Sequence, residues 1–163
     1  MGKEIERKFL VRGDGWRDGR RAVNICQGYL VAATDCTVRV RLKGELAFLT
    51  VKGKAEGVSR LEYEYEIPVA DAKELLARLC LQPYVEKNRY EIEYAGVTWE
   101  VDEFLKENEG LIVAEVELES EDQPLELPTW VAAEVSKDQR YSNFNLVQHP
   151  YSSWADRGTS DRT

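Results

Sequence analysis

Apolar and charged residues alternate with period two along most of the chain, the signature of β-strands whose two faces differ chemically. From Glu4 to Leu10, the residues Glu4, Glu6 and Lys8 share one face while Ile5 and Phe9 share the other. From Thr37 to Lys43, the cations Arg39, Arg41 and Lys43 oppose Val38, Val40 and Leu42, and the next run aligns Thr50, Lys52 and Lys54. Further on, Glu62, Glu64 and Glu66 oppose Leu61, Tyr63, Tyr65 and Ile67, and Lys87, Arg89, Glu91 and Glu93 oppose Tyr90, Ile92 and Tyr94. Residues 99–102 and 113–119 repeat the scheme with Glu100, Asp102, Glu115, Glu117 and Glu119. These are seven strands with a charged face, and residues 23–31 form an eighth.

Strands outnumber helices and short turns join them, which predicts an antiparallel sheet, and one with this many two-faced strands closes or curls. Asp71 with Glu74 three residues later reads as a capping box ahead of Leu75, Leu76, Leu79 and Cys80, with Pro83 as the stop. Short helices are expected after Pro128, through Trp130 to Glu134, and from Ser142 to Gln148. No repeat or linker divides the chain, so residues 1–151 read as one domain and residues 152–163 as a mobile tail.

Composition narrows the chemistry. With 163 residues and 43% apolar content, the chain can bury one core. Three cysteines without CxxC spacing and a single histidine, His149, leave no disulfide framework or thiolate zinc site and little room for a histidine-based triad. No apolar run approaches a membrane span, and charges occupy the N-terminal segment where a secretion signal would be apolar, so a cytoplasmic protein is expected. The net charge of −8 argues against nucleic acid, yet residues 1–60 carry 13 Lys and Arg against 7 Asp and Glu, and the remainder 9 against 23.

Like charges also recur at i, i+2 within strands. Two such charges about 7 Å apart repel by roughly 2 kcal/mol at an effective dielectric near 20, so some counter-charge should gather them. Two arrangements remain open at this point: wet outer faces of a half-buried sheet, or faces turned into a closed barrel. In the second, carboxylates would hold a hard divalent cation and Arg and Lys a polyanion.

The N-terminal Glu4-Ile5-Glu6-Arg7-Lys8 matches the ExExK signature of the CYTH domain, or triphosphate tunnel metalloenzyme, family. The resemblance continues through Gln27-Gly28-Tyr29-Leu30, Val38-Arg39-Val40-Arg41, Thr50-Val51-Lys52-Gly53 and Glu62-Tyr63-Glu64. It extends through residues 85–90, 99–102 and 114–118 to Arg140-Tyr141-Ser142-Asn143. It implies an α+β fold: an eight-stranded antiparallel barrel with a charged interior and a few flanking helices. It implies Mg²⁺ or Mn²⁺ as cofactor at Glu4, Glu6, Glu115 and Glu117, with Glu62, Glu64 and Asp102 as further acidic positions. Lys8, Arg39, Arg41, Lys52, Lys87, Arg89 and Arg140 would hold phosphates, and Lys87, Glu64 and Tyr29 would take part in proton transfer, although for Tyr29 packing is the favoured of two readings.

The activity implied is hydrolysis of inorganic tripolyphosphate to diphosphate and phosphate by a monomer or homodimer that binds neither nucleic acid nor membrane. Adenylate cyclase, thiamine triphosphatase and a non-catalytic polyphosphate-binding module are the alternatives. Lys54, Glu66, Glu91 and Glu119 are expected at the rim or in solvent, His149 exposed, and Tyr63, Tyr65, Tyr90 and Tyr94 packed against helices outside.

Overall fold

The computed structural model describes residues 2–154. Its strands are β1 (Lys3–Val11), β2 (Val23–Ala32), β3 (Cys36–Lys43), β4 (Leu46–Gly53), β5 (Ser59–Glu66), β6 (Val85–Tyr94), β7 (Val97–Phe104), β8 (Ile112–Glu117) and β9 (Val131–Glu134). Two α-helices accompany them, α1 (Val69–Arg78) and α2 (Asn143–Gln148). The order β5-β4-β3-β2-β6-β7-β8-β1 closes through antiparallel pairing of β1 with β5, where Lys3 faces Leu61 and Ile5 faces Ser59. This is the predicted eight-stranded barrel.

β1 pairs with β5 only over Lys3 to Ile5, and further along it Phe9 and Val11 pair with β9. An unpaired strand edge must find hydrogen-bond partners, and the chain beyond Pro128 supplies them. The residues expected to turn as a helix after Pro128 therefore lie extended as β9. The capping box is corrected as well: α1 starts at Val69 behind Pro68, with no side-chain cap, and Asp71 sits inside the first turn. α2 matches its predicted span, and the Ser142 hydroxyl accepts from the Asn145 amide at 3.1 Å.

The barrel is polar inside and apolar outside. Phe9, Trp16, Tyr90, Ile92, Trp99, Val101, Ala114 and Val116 form one exterior cluster, on which Trp130 and Val131 pack. Ala72, Leu76 and Cys80 of α1 and its exit pack against Val40 and Ala47. A side chain at Gly28 would come within 3.0–3.2 Å of Cys80, Leu76 and Tyr84, so this glycine is what permits the close approach. At one end of the barrel the interior turns apolar. There Leu10, Tyr29, Val85, Phe104 and Val113 meet Tyr141, Leu146, Val147 and Tyr151.

Trp154 packs edge-on against Tyr141 and Tyr151 at 5.2 and 5.1 Å, so the expectation of a mobile tail is corrected at Ser152–Trp154; residues 155–163 lie outside the described residues. Tyr90 and Tyr94 join the exterior layer as expected, whereas Tyr63 and Tyr65 remain 48% and 59% exposed. Among the described residues no helix is long and apolar enough to cross a membrane.

Candidate active site

Strand register converts the alternating pattern into paired charges. Across the barrel wall Glu6 faces Glu117, Lys8 and Glu100 both face Glu115, Thr50 faces Arg39 and Glu64, and Lys52 faces Glu62. These side chains surround an interior cavity of about 760 Å³, walled by both signs of charge. Segment 136–144, with Ser136, Lys137, Asp138, Gln139, Ser142, Asn143 and Phe144, lies along one border.

On the acidic side, Lys52 Nζ lies 3.1 Å from Glu4 Oε1 and 3.2 Å from Glu62 Oε2. Burial raises the Glu4 carboxyl despite Lys52, and Glu62 adds to the rise. Burial also pushes Glu6 well above the usual carboxylate range, reinforced by Glu115 and Glu4. Glu115 goes the other way: burial opposes its ionisation, but Lys8, the hydrogen bond with Glu6, Lys87 and Arg89 together hold it well below. The two neighbouring carboxyls are thus driven apart, Glu6 upward and Glu115 downward. Glu117, more exposed, is raised by burial and by Glu4.

On the basic side, Arg41 Nε donates to Gln27 Oε1 at 2.8 Å. Burial lowers the Arg41 guanidinium, and Arg39 and Arg89 lower it further, against a smaller opposing pull from Asp102 and Glu115. Arg39 Nη2 donates to Thr50 Oγ1 at 3.3 Å and lies 3.7 Å from Glu64, which accepts from Thr50 at 2.9 Å. Arg39 Nε is buried without a partner. Lys8 Nζ donates to the Tyr141 carbonyl at 3.2 Å.

Asp102 does not fit its expected place among metal ligands. It is fully buried, gripped by the Arg89 fork at 2.8 and 2.9 Å and by Lys87 Nζ at 2.6 Å, and it lies outside the cavity wall. Lys87 is equally buried, and its amine also donates to Asn143 Oδ1 at 3.2 Å. Because Arg89 already neutralises Asp102, burial outweighs the remaining attraction and lowers Lys87 to about 7. This amine lies behind the cavity wall and joins Asp102 to Asn143 at the start of α2, away from the phosphate-holding place expected for it.

A folded pKa near 7, below the ordinary 10.5, means that the unfolded chain binds more protons between those values, so this group makes stability rise with pH across that window. Lys87→Met should flatten that slope between pH 7 and 10. Denaturant titrations of both proteins at pH 6, 8 and 10 measure it, and parallel slopes would contradict this account.

Tyr29 borders the cavity and packs at a tilt against Phe144, ring centroids 5.8 Å apart, so both its expected roles stay available. Arg140 is not in the cavity wall. It chelates Asp138 at 2.8 Å and lies over the Tyr141 and Trp154 rings. Lys54, expected at the rim, lines the cavity. Sequence reasoning left out Lys43, Arg60, Glu100 and Asn143. Lys43 and Glu100 carry the parity of assigned neighbours and were findable by it, while Arg60 and Asn143 arrive through tertiary placement alone. Among the described residues no three carboxylates, histidines or cysteines form a ready-made metal cluster.

Comparison with known proteins agrees with this geometry. The CYTH domain model matches residues 2–151. The chain is 52% identical over 151 residues to an inorganic triphosphatase of Acetivibrio thermocellus, a match covering 93% of this chain and 97% of the relative. It is 41% identical over 149 residues to an inorganic triphosphatase of Nitrosomonas europaea, covering 88% and 96%. A crystal structure of an inorganic triphosphatase superposes with a TM-score of 0.64 at 38% identity, over 88% of this chain and 93% of that one.

Proposed function

The chain belongs to the CYTH domain family, and from that premise we propose that it hydrolyses inorganic tripolyphosphate to diphosphate and phosphate within its barrel. The observation carrying this reading is an interior cavity of about 760 Å³ in which Arg39 and Arg41 of β3 lie across from the carboxylates Glu4, Glu6 and Glu115, with Lys8 paired beside Glu115. A linear triphosphate with a bound cation satisfies both walls at once. Relatives at 52% and 41% identity, both inorganic triphosphatases, support the choice of a small substrate.

The carboxyl pair Glu6 and Glu115, whose close approach drives one group up and the other down, suits a hard divalent cation, and Glu4 and Glu117 complete an all-oxygen donor set for Mg²⁺ or Mn²⁺. Such an ion, once bound, supplies positive charge to the terminal phosphoryl oxygens. The chain's own residues do the rest. Arg39 and Arg41 clamp the phosphate chain, the unpartnered Arg39 Nε gaining an acceptor, and Lys52, held between Glu4 and Glu62, sets the spacing of charge at the acidic wall.

Glu64, oriented by Thr50, accepts the proton of the attacking water as the new P–O bond forms. The bridging P–O bond breaks, and Arg89 offsets charge on the departing diphosphate. Little covalent help is required, because phosphoryl transfer responds mainly to positioning and charge.

A turnover assay with tripolyphosphate, ATP and thiamine triphosphate, in Mg²⁺, in Mn²⁺ and in chelator, tests the reading. Metal-dependent phosphate release fastest from tripolyphosphate is expected. Cyclic AMP with diphosphate from ATP would replace the proposal with a cyclase, and no turnover of any of the three would leave a binding module.

A further inference from the structure

A second basic recess lies at the other end of the barrel. The main cavity is bordered at Ala33, Thr34 and Ala55, in the turns after β2 and β4, where segment 136–144 also lies. At the opposite end, where β2 begins and β3 ends, Arg20, Arg21, Val23, Lys43, Arg89 and Glu91 line a separate recess of about 190 Å³. It has four cations and one carboxylate, and Lys43 and Arg89 belong to both cavities.

Arg89 is paired with Asp102 at 2.8 Å and Glu100 at 3.3 Å, and Lys43 lies 3.9 Å from Glu91. Arg20 uses its guanidinium on the carbonyls of Gly15, Trp16 and Asp18 without meeting a carboxylate, and Arg21 has no ion pair among the described residues. Two uncompensated guanidiniums at the rim of a recess large enough for two linked phosphoryl groups make a fork for a doubly coordinated anion.

We infer that Arg20, Arg21 and Lys43 form a diphosphate subsite at this mouth, through which the leaving diphosphate departs past Arg89. The identity of the anion rests on the triphosphatase reading; the existence of the subsite does not. No covalent step is involved.

Diphosphate titrated calorimetrically into chelator-treated protein should occupy two sites in the wild type, one in the tunnel and one at the mouth, and only the tunnel site in Arg20→Ala/Arg21→Ala. Because Arg20 also holds the turn at residues 15–18, Arg21→Glu alone serves as a second variant, expected to weaken the mouth site at least tenfold. Orthophosphate, spanning half the recess, should bind the mouth at least tenfold more weakly than diphosphate. A single site in the wild type, or unchanged titrations in both variants, would overturn the subsite. In turnover, diphosphate should inhibit the wild type with a mixed pattern and Arg21→Glu with a purely competitive one, and identical patterns would overturn the departure route. If tripolyphosphate is not hydrolysed at all, the triphosphatase reading fails, while the metal-free titration still decides the subsite.

Discussion

Glu6→Gln is expected to reduce tripolyphosphate turnover by about 10²–10³-fold, the usual scale for losing one directed charge contact in a preorganised site, while making the metal-free protein more stable. The two effects share one cause. Glu6 is half-buried beside Glu115 and Glu4, and desolvation together with those two carboxyls raises it well above the ordinary 4.5. Between 4.5 and the raised value the folded state holds a proton that the unfolded state has lost, so this group lowers stability as pH rises through that window.

Glutamine removes that penalty. The stability gained by the variant should therefore grow as the pH rises above 4.5 and vanish below about pH 4. Mg²⁺ should raise the melting temperature of the wild type and leave that of the variant nearly unmoved. Paired melts at pH 4 and pH 7.5, with and without Mg²⁺, read all of this. Turnover within a few-fold of wild type would remove Glu6 from the site, and a variant less stable at both pH values would mean the carboxyl is structural.

Much of this architecture is legible in the period-two pattern, because a strand that alternates Glu or Arg with Val or Tyr has only one apolar face to bury. What alternation leaves open is which side that face takes. Val40 could equally line a solid core or lie under a helix, and the answer depends on α1 and Trp16 arriving from elsewhere in the chain. β9 escapes local reading for the same reason: Val131–Glu134 is extended because β1 offers it an edge.

In the site, parity identifies the inward residues and stops short of their partners. Asp102 has the parity and chemistry of a ligand, but the register that sets it opposite Arg89, with Lys87 beside it, commits it to a buried ion pair. Arg140 shows the converse. It sits in a motif-like stretch, yet the 3₁₀ turn Gln139–Tyr141 directs it to Asp138 and Trp154.

Arg41 gives the second large expected effect. Arg41→Met should lower kcat/KM for tripolyphosphate by about 10²-fold or more, as for other clamps on a transferring phosphoryl group. The metal-free wild type should be stabilised by tripolyphosphate by about 2.7 kcal/mol at a concentration of 100 Kd, and the variant should lose most of that shift at the same concentration. The intrinsic stability of Arg41→Met is set by opposing terms. Removing the guanidinium relieves its repulsion with Arg39 and Arg89, but strips Gln27 Oε1 of its donor beside a Gln27 Nε2 that already lacks a partner. A buried acceptor left unsatisfied costs about 1–3 kcal/mol, so near-cancellation is expected in the unliganded protein.

Arg41→Lys separates charge from geometry, since an ammonium keeps the cation but loses the planar fork and the Gln27 bond. It should fall between wild type and Met in affinity. If Arg41→Met binds tripolyphosphate as the wild type does, the phosphate chain does not lie along β3, and the crowding of Arg39, Arg41 and Arg89 would need a different counter-ion to explain it.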